Sequence, residues 1–182
     1  MAAITITEGL AELKTISKRL EKKRNFVIGF LTRAEGIKDP LEKGVPGGSV
    51  EAIKRERQAI SDLENRHLSI RMAIQKINHL TTVTIGEKTM SVAEWLTWRK
   101  EVAPGISTFQ GVINRHLSQV RAQAQQRGHA VVTVPTADTK PTDVVVNIDE
   151  HALATEMEGL ETVTGTLDGK LSLINATTTI DV

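Results

Sequence analysis

Residues 49–78 read SVEAIKRERQAISDLENRHLSIRMAIQKIN, and this stretch decides the predicted fold. Its apolar residues recur every seven positions along two parallel lines, with His67 included in the first line and Glu56 as the exception in the second. Such a heptad pattern predicts a helix that packs lengthwise against another helix. Ser49 has the chemistry of an N-cap, so we expect this helix to run from about Val50 to Asn78. The two lines are Ile53, Ile60, His67 and Ile74, then Leu63, Ile70 and Ile77.

A helix of similar length is predicted before it, from about Thr7 to Ala34. Thr5 and Glu8 have the spacing of a capping box. Two prolines and four glycines in residues 35–48 then indicate a long loop. The two helices should therefore form an antiparallel hairpin with arms of roughly 40 Å. The heptad line of the first helix is Leu13, Ile16, Leu20, Lys23, Val27, Phe30 and Ala34, with Lys23 as the misfit.

The middle of the chain predicts a small β-hairpin followed by another helix. Alternating β-branched residues around Gly86 favour the hairpin, and Ser91 with Glu94 forms a second capping-box pattern. Pro104-Gly105 indicates a break in the helix, after which Ser107 would cap a restart. The restarted helix should bury one apolar face and end at Gly128. That face is Phe109, Val112, Ile113, Leu117, Val120 and Ala124.

After Gly128 the apolar period changes from helical to strand-like. The valine-rich segments 130–134 and 144–148 predict a protruding β-hairpin. Asp149 should cap a last helix, which carries a third heptad line. The strand-like end, 176–182, resembles residues 3–6 and is expected to pair with them, in the same chain or in a neighbour. The third heptad line is Leu153, Met157, Leu160, Thr164, Leu167, Leu171 and Ile174.

These elements predict a mainly α protein with small β structure. A long antiparallel helical hairpin would lie in a helical bundle, with one or two β-hairpins attached. We expect residues 1–128 to form a helical, coiled-coil-like body with a small β-hairpin near 80–90. Residues 129–148 would form the protruding β-hairpin. Residues 149–182 would form an acidic C-terminal helix and a strand-like tail.

Composition and charge exclude several chemistries. The 182 residues contain no cysteine, which excludes disulfides, thiol nucleophiles, Cys-ligated zinc and iron–sulfur clusters. Only 3% are aromatic, so the core must be aliphatic. The net charge of +1 hides +8 in residues 1–128 and −7 in residues 129–182. The two regions should attract each other, within one chain or between neighbours. Neither a membrane span nor a signal peptide is expected.

The sequence contains no linear motif that indicates catalysis. None of its five histidines forms an i, i+4 pair, and HExxH, P-loop and GxSxG patterns are absent. We therefore predict a protein that is not an enzyme, with no catalytic residues, no cofactor and no metal. His67 lies on a heptad line, either as a pH-sensitive or register-setting group or as a tolerated polar residue.

Two sets of residues are candidates for binding. Tryptophans are enriched at interfaces, and exposed strand edges accept partner strands. Clustered basic residues on helices could instead contact phosphates, although a solvated helical face explains them as well. The predicted protein interface is Trp95, Trp98, Val132, Val134, Val144, Val146 and Ile180. The alternative nucleic-acid contacts are Lys18, Arg19, Lys22, Lys23, Arg24, Lys54, Arg55 and Arg57.

Residues 77–94 also carry a family resemblance. Ile77-Asn78, Thr81, Thr82, Gly86, Thr89-Met90 and Ala93-Glu94 resemble the septicolysin-like family of small coiled-coil proteins. The resemblance implies a long helical hairpin, a short glycine-containing β segment and another long helix over about residues 7–127. It implies no activity. The chain departs from the family pattern at Leu80-Thr81, where Thr-Asn is expected, and in its 130–148 insertion.

The overall composition is similar in style to minor structural proteins of tailed bacteriophages. We therefore predict a non-enzymatic structural or assembly subunit of a bacteriophage virion, in the head, neck or tail. It would dock through its hairpins and termini, as a homo-oligomer or with other virion proteins, and would not contact a membrane. Its location would be the virion, assembled in the host cytoplasm. The alternative is a nucleic-acid-binding accessory protein.

Overall fold

A computed structural model describes residues 3–182. The chain forms two compact units, one containing the chain up to Thr81 together with Leu171–Val182, the other containing Thr82–Lys170. The predicted class, mainly α with small β structure, is confirmed. The last helix contributes to both units, and the predicted division at 128 and 148 stays a prediction. Within residues 3–182, no helix has the length and apolar character needed to cross a bilayer.

The elements follow one another along the chain as several long helices separated by short strands. One helical turn of the wider π type, Trp98–Val102, lies between the third and fourth helices. In order, they are β1 (Ala3–Thr5), α1 (Ile6–Gly29), α2 (Gly48–Leu80), β2 (Thr82–Ile85), β3 (Lys88–Ser91), α3 (Val92–Thr97), α4 (Ala103–Arg127), β4 (Val131–Val132), β5 (Val144–Val145), α5 (Glu150–Thr177) and β6 (Thr179–Asp181).

Helices α1 and α2 form the predicted antiparallel hairpin, which is held by an aliphatic core. Its buried members come from α1, α2 and β6, and they lie on the predicted heptad lines for most of their length. Burial of aliphatic surface stabilises such a seam without help from aromatic side chains. The buried core is Ile6, Leu13, Ile16, Leu20, Ile70, Ile74 and Ile180.

The two polar residues that interrupt the seam pair with each other. Lys23 Nζ lies 2.7 Å from Glu56 Oε2, and both side chains are 29% exposed. Arg66 also binds Glu12, through contacts of 2.8 and 3.0 Å. The hydrogen bond from Arg66 holds the pKa of Glu12 below its usual value. Both pairs join an early residue of one helix to a late residue of the other, as an antiparallel arrangement requires.

Helix α1 starts as predicted but ends earlier. The Thr5 hydroxyl accepts from the backbone of Glu8, and the Glu8 carboxylate accepts from the backbone N–H of Thr5, which completes the capping box. The helix ends at Gly29 rather than Ala34. Residues 31–38 are all exposed. A further turn would bury no apolar surface, and helical stability in proteins comes mainly from such burial.

The predicted cap of α2 is wrong, because Asp39 takes the role assigned to Ser49. Helix α2 begins at Gly48, after Gly47 in the left-handed region at φ +84°. Asp39 Oδ2 accepts from the backbone N–H of Ser49 at 2.7 Å, and Oδ1 accepts from Leu41 N at 2.9 Å. The Ser49 hydroxyl also donates to Asp39 Oδ1. This bond is the main reason why the pKa of Asp39 is lowered, and the two backbone bonds add to the effect. A carboxylate from the loop therefore satisfies the helix N-terminus.

The two chain ends pair with each other within the chain. Strands β1 and β6 are antiparallel, with Ile4 opposite Ile180. Gly9 makes room for this closure, since a Cβ there would lie 3.2 Å from Ile180 Cδ1. Ile180 is only 2% exposed. The predicted pairing is therefore confirmed, in the intramolecular form.

In the second unit, the β2–β3 hairpin and its helix are confirmed, but the predicted helix break is wrong. The hairpin runs from Thr82 opposite Ser91 to Ile85 opposite Lys88. The helix then continues through Pro104, with Ser107 inside α4. The π turn explains this continuity, because Ala103 N donates to Trp98 O five residues back, immediately before the proline. The wider turn relieves the clash that a proline ring causes in an α-helix.

Residues 130–148 do not form the predicted β-hairpin. Strands β4 and β5 are parallel, with Val131 opposite Val144. The connecting segment is long enough to carry the chain back to the starting end, which a tight turn cannot do. Asp143 organises this segment by accepting from Ala130 N at 2.9 Å and Lys140 N at 2.8 Å. Those bonds lower the pKa of Asp143.

Helix α5 buries its predicted heptad line, since all seven residues are buried or half-buried. Ion pairs join it to the basic region that precedes it. Arg99 lies 2.7 Å from Asp168, and Arg121 binds Glu150. The predicted attraction between the basic and acidic regions thus operates within the chain.

Removing one carboxylate tests the Asp39 cap. The lowered pKa means that the folded state favours ionised Asp39. Its stabilisation is therefore present above the ordinary pKa and is lost as pH falls through the lowered folded value. We expect Asp39→Asn to lower the thermal midpoint at pH 7, and the difference from the native chain to shrink toward pH 3. Asp62→Asn on α2 is the control, and a pH-independent Asp39→Asn difference would contradict this assignment.

Alanine substitution should change the free energy of unfolding in opposite directions at two glycines that have no close contacts. A Cβ at Gly159 or Gly128 would meet nothing within 4 Å. Gly159 lies inside α5, so Gly159→Ala should raise the free energy of unfolding by about 1 kcal/mol. Gly128 has φ +69°, so Gly128→Ala should lower it by about 1 kcal/mol. Denaturant titration measures both, and equal signs would refute the account.

Candidate protein interface

Helix α4 buries one line of residues and leaves the neighbouring line exposed. The buried line has a seven-residue period and consists of Ala103, Gln110, Leu117 and Ala124. The exposed line, called here the α4 stripe, begins at Val102, the last residue of the π turn, and continues on α4 with Ile106, Phe109 and Val112, with exposed fractions from 39% to 67%. Spacings of four and three residues place these side chains on one side of the helix.

The exposure of this stripe corrects the predicted apolar face. Phe109 and Val112 were expected to be buried, but they are 67% and 52% exposed. They lie about 100° around the helix from the residues that follow them, the buried Gln110 and the half-buried Ile113. The apolar band of α4 is wider than the single line of residues that its neighbours cover, so the rest of the band is exposed to solvent.

The stripe adjoins an apolar groove. The groove has a volume of about 460 Å³ and lies between the second half of α4 and residues 144–148. Val112 belongs to both the stripe and the groove wall. The two features therefore form one apolar surface, of which residues 144–148 cover only a part. The other groove residues on α4 are Ile113, His116, Leu117 and Val120.

The charge on this helix has a single sign. From Ala103 to Arg127 there is no acidic residue, while Arg115, Arg121 and Arg127 are present. Arg121 binds Glu150, whereas Arg115 and Arg127 are exposed and make no ion pair within residues 3–182. The surface thus combines exposed apolar side chains with positive charge, a combination suited to a partner with an acidic rim.

One buried polar atom on α4 has no hydrogen-bond partner. Gln110 is 4% exposed, and its Oε1 makes no hydrogen bond within the described part of the chain. It lies on the buried line, away from the groove residues. An amide at such a position can fix the register of packed helices.

Three of the predicted interface residues are buried within the chain, which speaks against assigning them to an exposed interface, although Val146 also lines the groove. Trp95 is 1% exposed, and its Nε1 donates to Val83 O at 2.9 Å, which fastens α3 to β2. Val146 is 7% exposed, and Ile180 belongs to the core of the first unit. Trp98 packs edge-on against Trp95 with ring centroids 5.5 Å apart and is half-buried.

Of the remaining predicted residues, Val144 lines the groove, whereas Val132 and Val134 do not. Val132 and Val144 are half-buried, and Val134 is 71% exposed. The assignment of these three valines to a protein interface stays a prediction. The sequence analysis missed the α4 stripe, whose signal was an apolar band with more members than one heptad line can bury.

The predicted nucleic-acid residues divide into two groups. Lys23 and Arg24 bind Glu56 and Glu64, each at 2.7 Å, and Lys54 lies 3.8 Å from Glu51. Those three cations already have carboxylate partners. The other five are exposed and make no ion pair within residues 3–182. They are Lys18, Arg19, Lys22, Arg55 and Arg57.

The described residues offer no cluster that resembles a metal site. Within residues 3–182, no group of three or more His, Asp or Glu side chains could hold an ion. His67 is half-buried on α2, as its place on a heptad line suggested.

Comparison with known proteins shows the fold alone. No family model matches the chain, and no curated protein matches it. A crystal structure of a functionally unknown conserved protein from Corynebacterium diphtheriae is similar, with a TM-score of 0.55 and 14% sequence identity. The match covers 99% of this chain and 100% of that one. The helical arrangement is therefore shared by two chains with very different sequences.

Proposed function

We propose that the protein is a non-enzymatic structural or assembly subunit that associates through the α4 stripe. The exposed stripe is the observation that carries this proposal. Fully burying a Val, Ile or Phe side chain contributes roughly 1.5–3 kcal/mol. Four such side chains, each at least 39% exposed, leave several kcal/mol available to association. Contiguous exposed apolar side chains with a charged border are typical of protein interfaces.

The docking elements of this proposal differ from those expected from the sequence. Both ends of the described chain are engaged in the β1–β6 pair, and residues 130–148 form no hairpin. The helical face takes their place. A bacteriophage virion remains the setting that we propose, on the grounds of composition: a cysteine-free, aromatic-poor chain with threonine- and valine-rich strands on a helical core. The partners would be copies of the chain and other virion proteins.

One substitution on the stripe tests association. Phe109→Ser removes the most exposed apolar side chain of the stripe, 67% exposed, and should leave the monomer folded. We expect the native chain to show a concentration-dependent mass by light scattering at moderate salt, and the variant to remain a monomer at concentrations at least about tenfold higher. Leu68→Ser, at a 60% exposed site on α2, is the matched control. A native chain that stays monomeric up to millimolar concentration would reject self-association.

A nucleic-acid-binding function is the second candidate, and the five basic residues without ion pairs favour it. Lys18 and Lys22 lie one turn apart on α1. If they contact phosphates, DNA or RNA retention should fall steeply as salt rises. Lys18→Gln with Lys22→Gln should then weaken binding severalfold in fluorescence anisotropy, whereas Lys76→Gln should not. No retention at low salt would exclude this function.

A further inference from the structure

The two long helices of the second unit carry opposite charges that their mutual contacts leave partly unpaired. Helix α5 pairs with α4 through Arg121–Glu150, and with the π turn before α4 through Arg99–Asp168. After those pairs, α4 retains Arg115 and Arg127. Helix α5 retains three exposed glutamates that make no ion pair within residues 3–182, namely Glu156, Glu158 and Glu161.

Two of these glutamates lie on an exposed side of α5. Ala154, Glu158, Glu161 and Gly165 follow one another at spacings of four, three and four residues, which places them on one side of the helix. All four are exposed, and a Cβ at Gly165 would meet nothing within 4 Å. This side, called here the outer α5 side, is acidic at its centre, with Ala154 and Gly165 at its two ends.

The helix that carries the α4 stripe has the opposite charge. The members of the stripe are bulky, and Arg115 lies three residues beyond Val112, one turn along the same helix. We propose that the occupant of the α4 stripe is a second copy of this chain, presenting its outer α5 side. This inference rests on the proposed function, and it specifies the partner and the contact.

Charge decides between the possible self-contacts. Two α4 helices placed face to face would bring arginines together, since α4 has no carboxylate between Ala103 and Arg127. Like charges at an interface cost binding energy, whereas Arg115 against Glu158 and Glu161 attract. The same arginine–carboxylate chemistry already joins α4 to α5 within the chain. Each copy carries both surfaces, so a two-fold dimer would form the contact twice.

Charge reversal with rescue tests the contact in the full chain. Arg115→Glu should weaken self-association at least about tenfold by light scattering or sedimentation, and Glu158→Arg with Glu161→Arg should do the same. Combining the three substitutions should restore association to within a fewfold of the native chain. Glu87→Arg, on the exposed β2–β3 turn, is the matched control and should have no effect. Circular dichroism confirms that each variant is folded.

The outcomes separate this inference from the function on which it rests. The α4–α5 contact between copies is supported if each charge reversal weakens self-association and the combined variant recovers it. If Phe109→Ser abolishes association but the reversals do not, or the combination does not recover, the stripe is an interface and its pairing with α5 is overturned. If the native chain never associates, the proposed function fails first and the contact fails with it.

Discussion

Helix α1 can bury its aliphatic line only by lying along α2, and the rest of the first unit depends on that constraint. With 3% aromatic residues, the chain has few large side chains with which to fill a core. Leucine and isoleucine knobs therefore supply the packing. The seam tolerates one charged residue from each helix because Lys23 and Glu56 meet at 2.7 Å. Ile180 completes the core, and the space that Gly9 leaves allows β6 to close against β1.

The second unit is also held by helices that pack along heptad lines, but part of its apolar surface stays exposed. Its two long helices each bury one line of residues with a heptad period, and arginine–carboxylate pairs hold them together. The apolar band of α4 is wider than that contact. The excess becomes the α4 stripe, and residues 144–148 cover only its neighbouring groove. A surface of this kind costs solubility in a monomer, which gives physical grounds for associating it with assembly.

The fold was predictable from the sequence to the extent that local patterns determine it. Heptad spacing located α1, α2 and α5, and the Thr5–Glu8 and Ser91–Glu94 capping boxes located two helix starts. The failures arose where a distant group replaced a local cap or where the helix changed its hydrogen-bond spacing. Asp39 reaches the start of α2 from ten residues away, and the π turn removes the break expected at Pro104. Of the candidate surface, the sequence singled out Val144 and Val146 on the groove wall but not the α4 stripe.

The sequence by itself determined the helical class, the aliphatic core and the opposite charges of the two regions, because periodicity and composition act within single elements. Only the tertiary structure decided which apolar residues remain outside. The sequence made Trp95 a candidate for an interface, but the side chain is buried and bonded to Val83. It made Phe109 a candidate for the core, but the side chain is exposed on α4. Burial depends on which neighbour covers each side of a helix, and a one-dimensional pattern does not contain that information. The parallel pairing of β4 and β5 depends on the path of the connecting segment, which Asp143 organises, and the alternation of the strand residues does not contain that path.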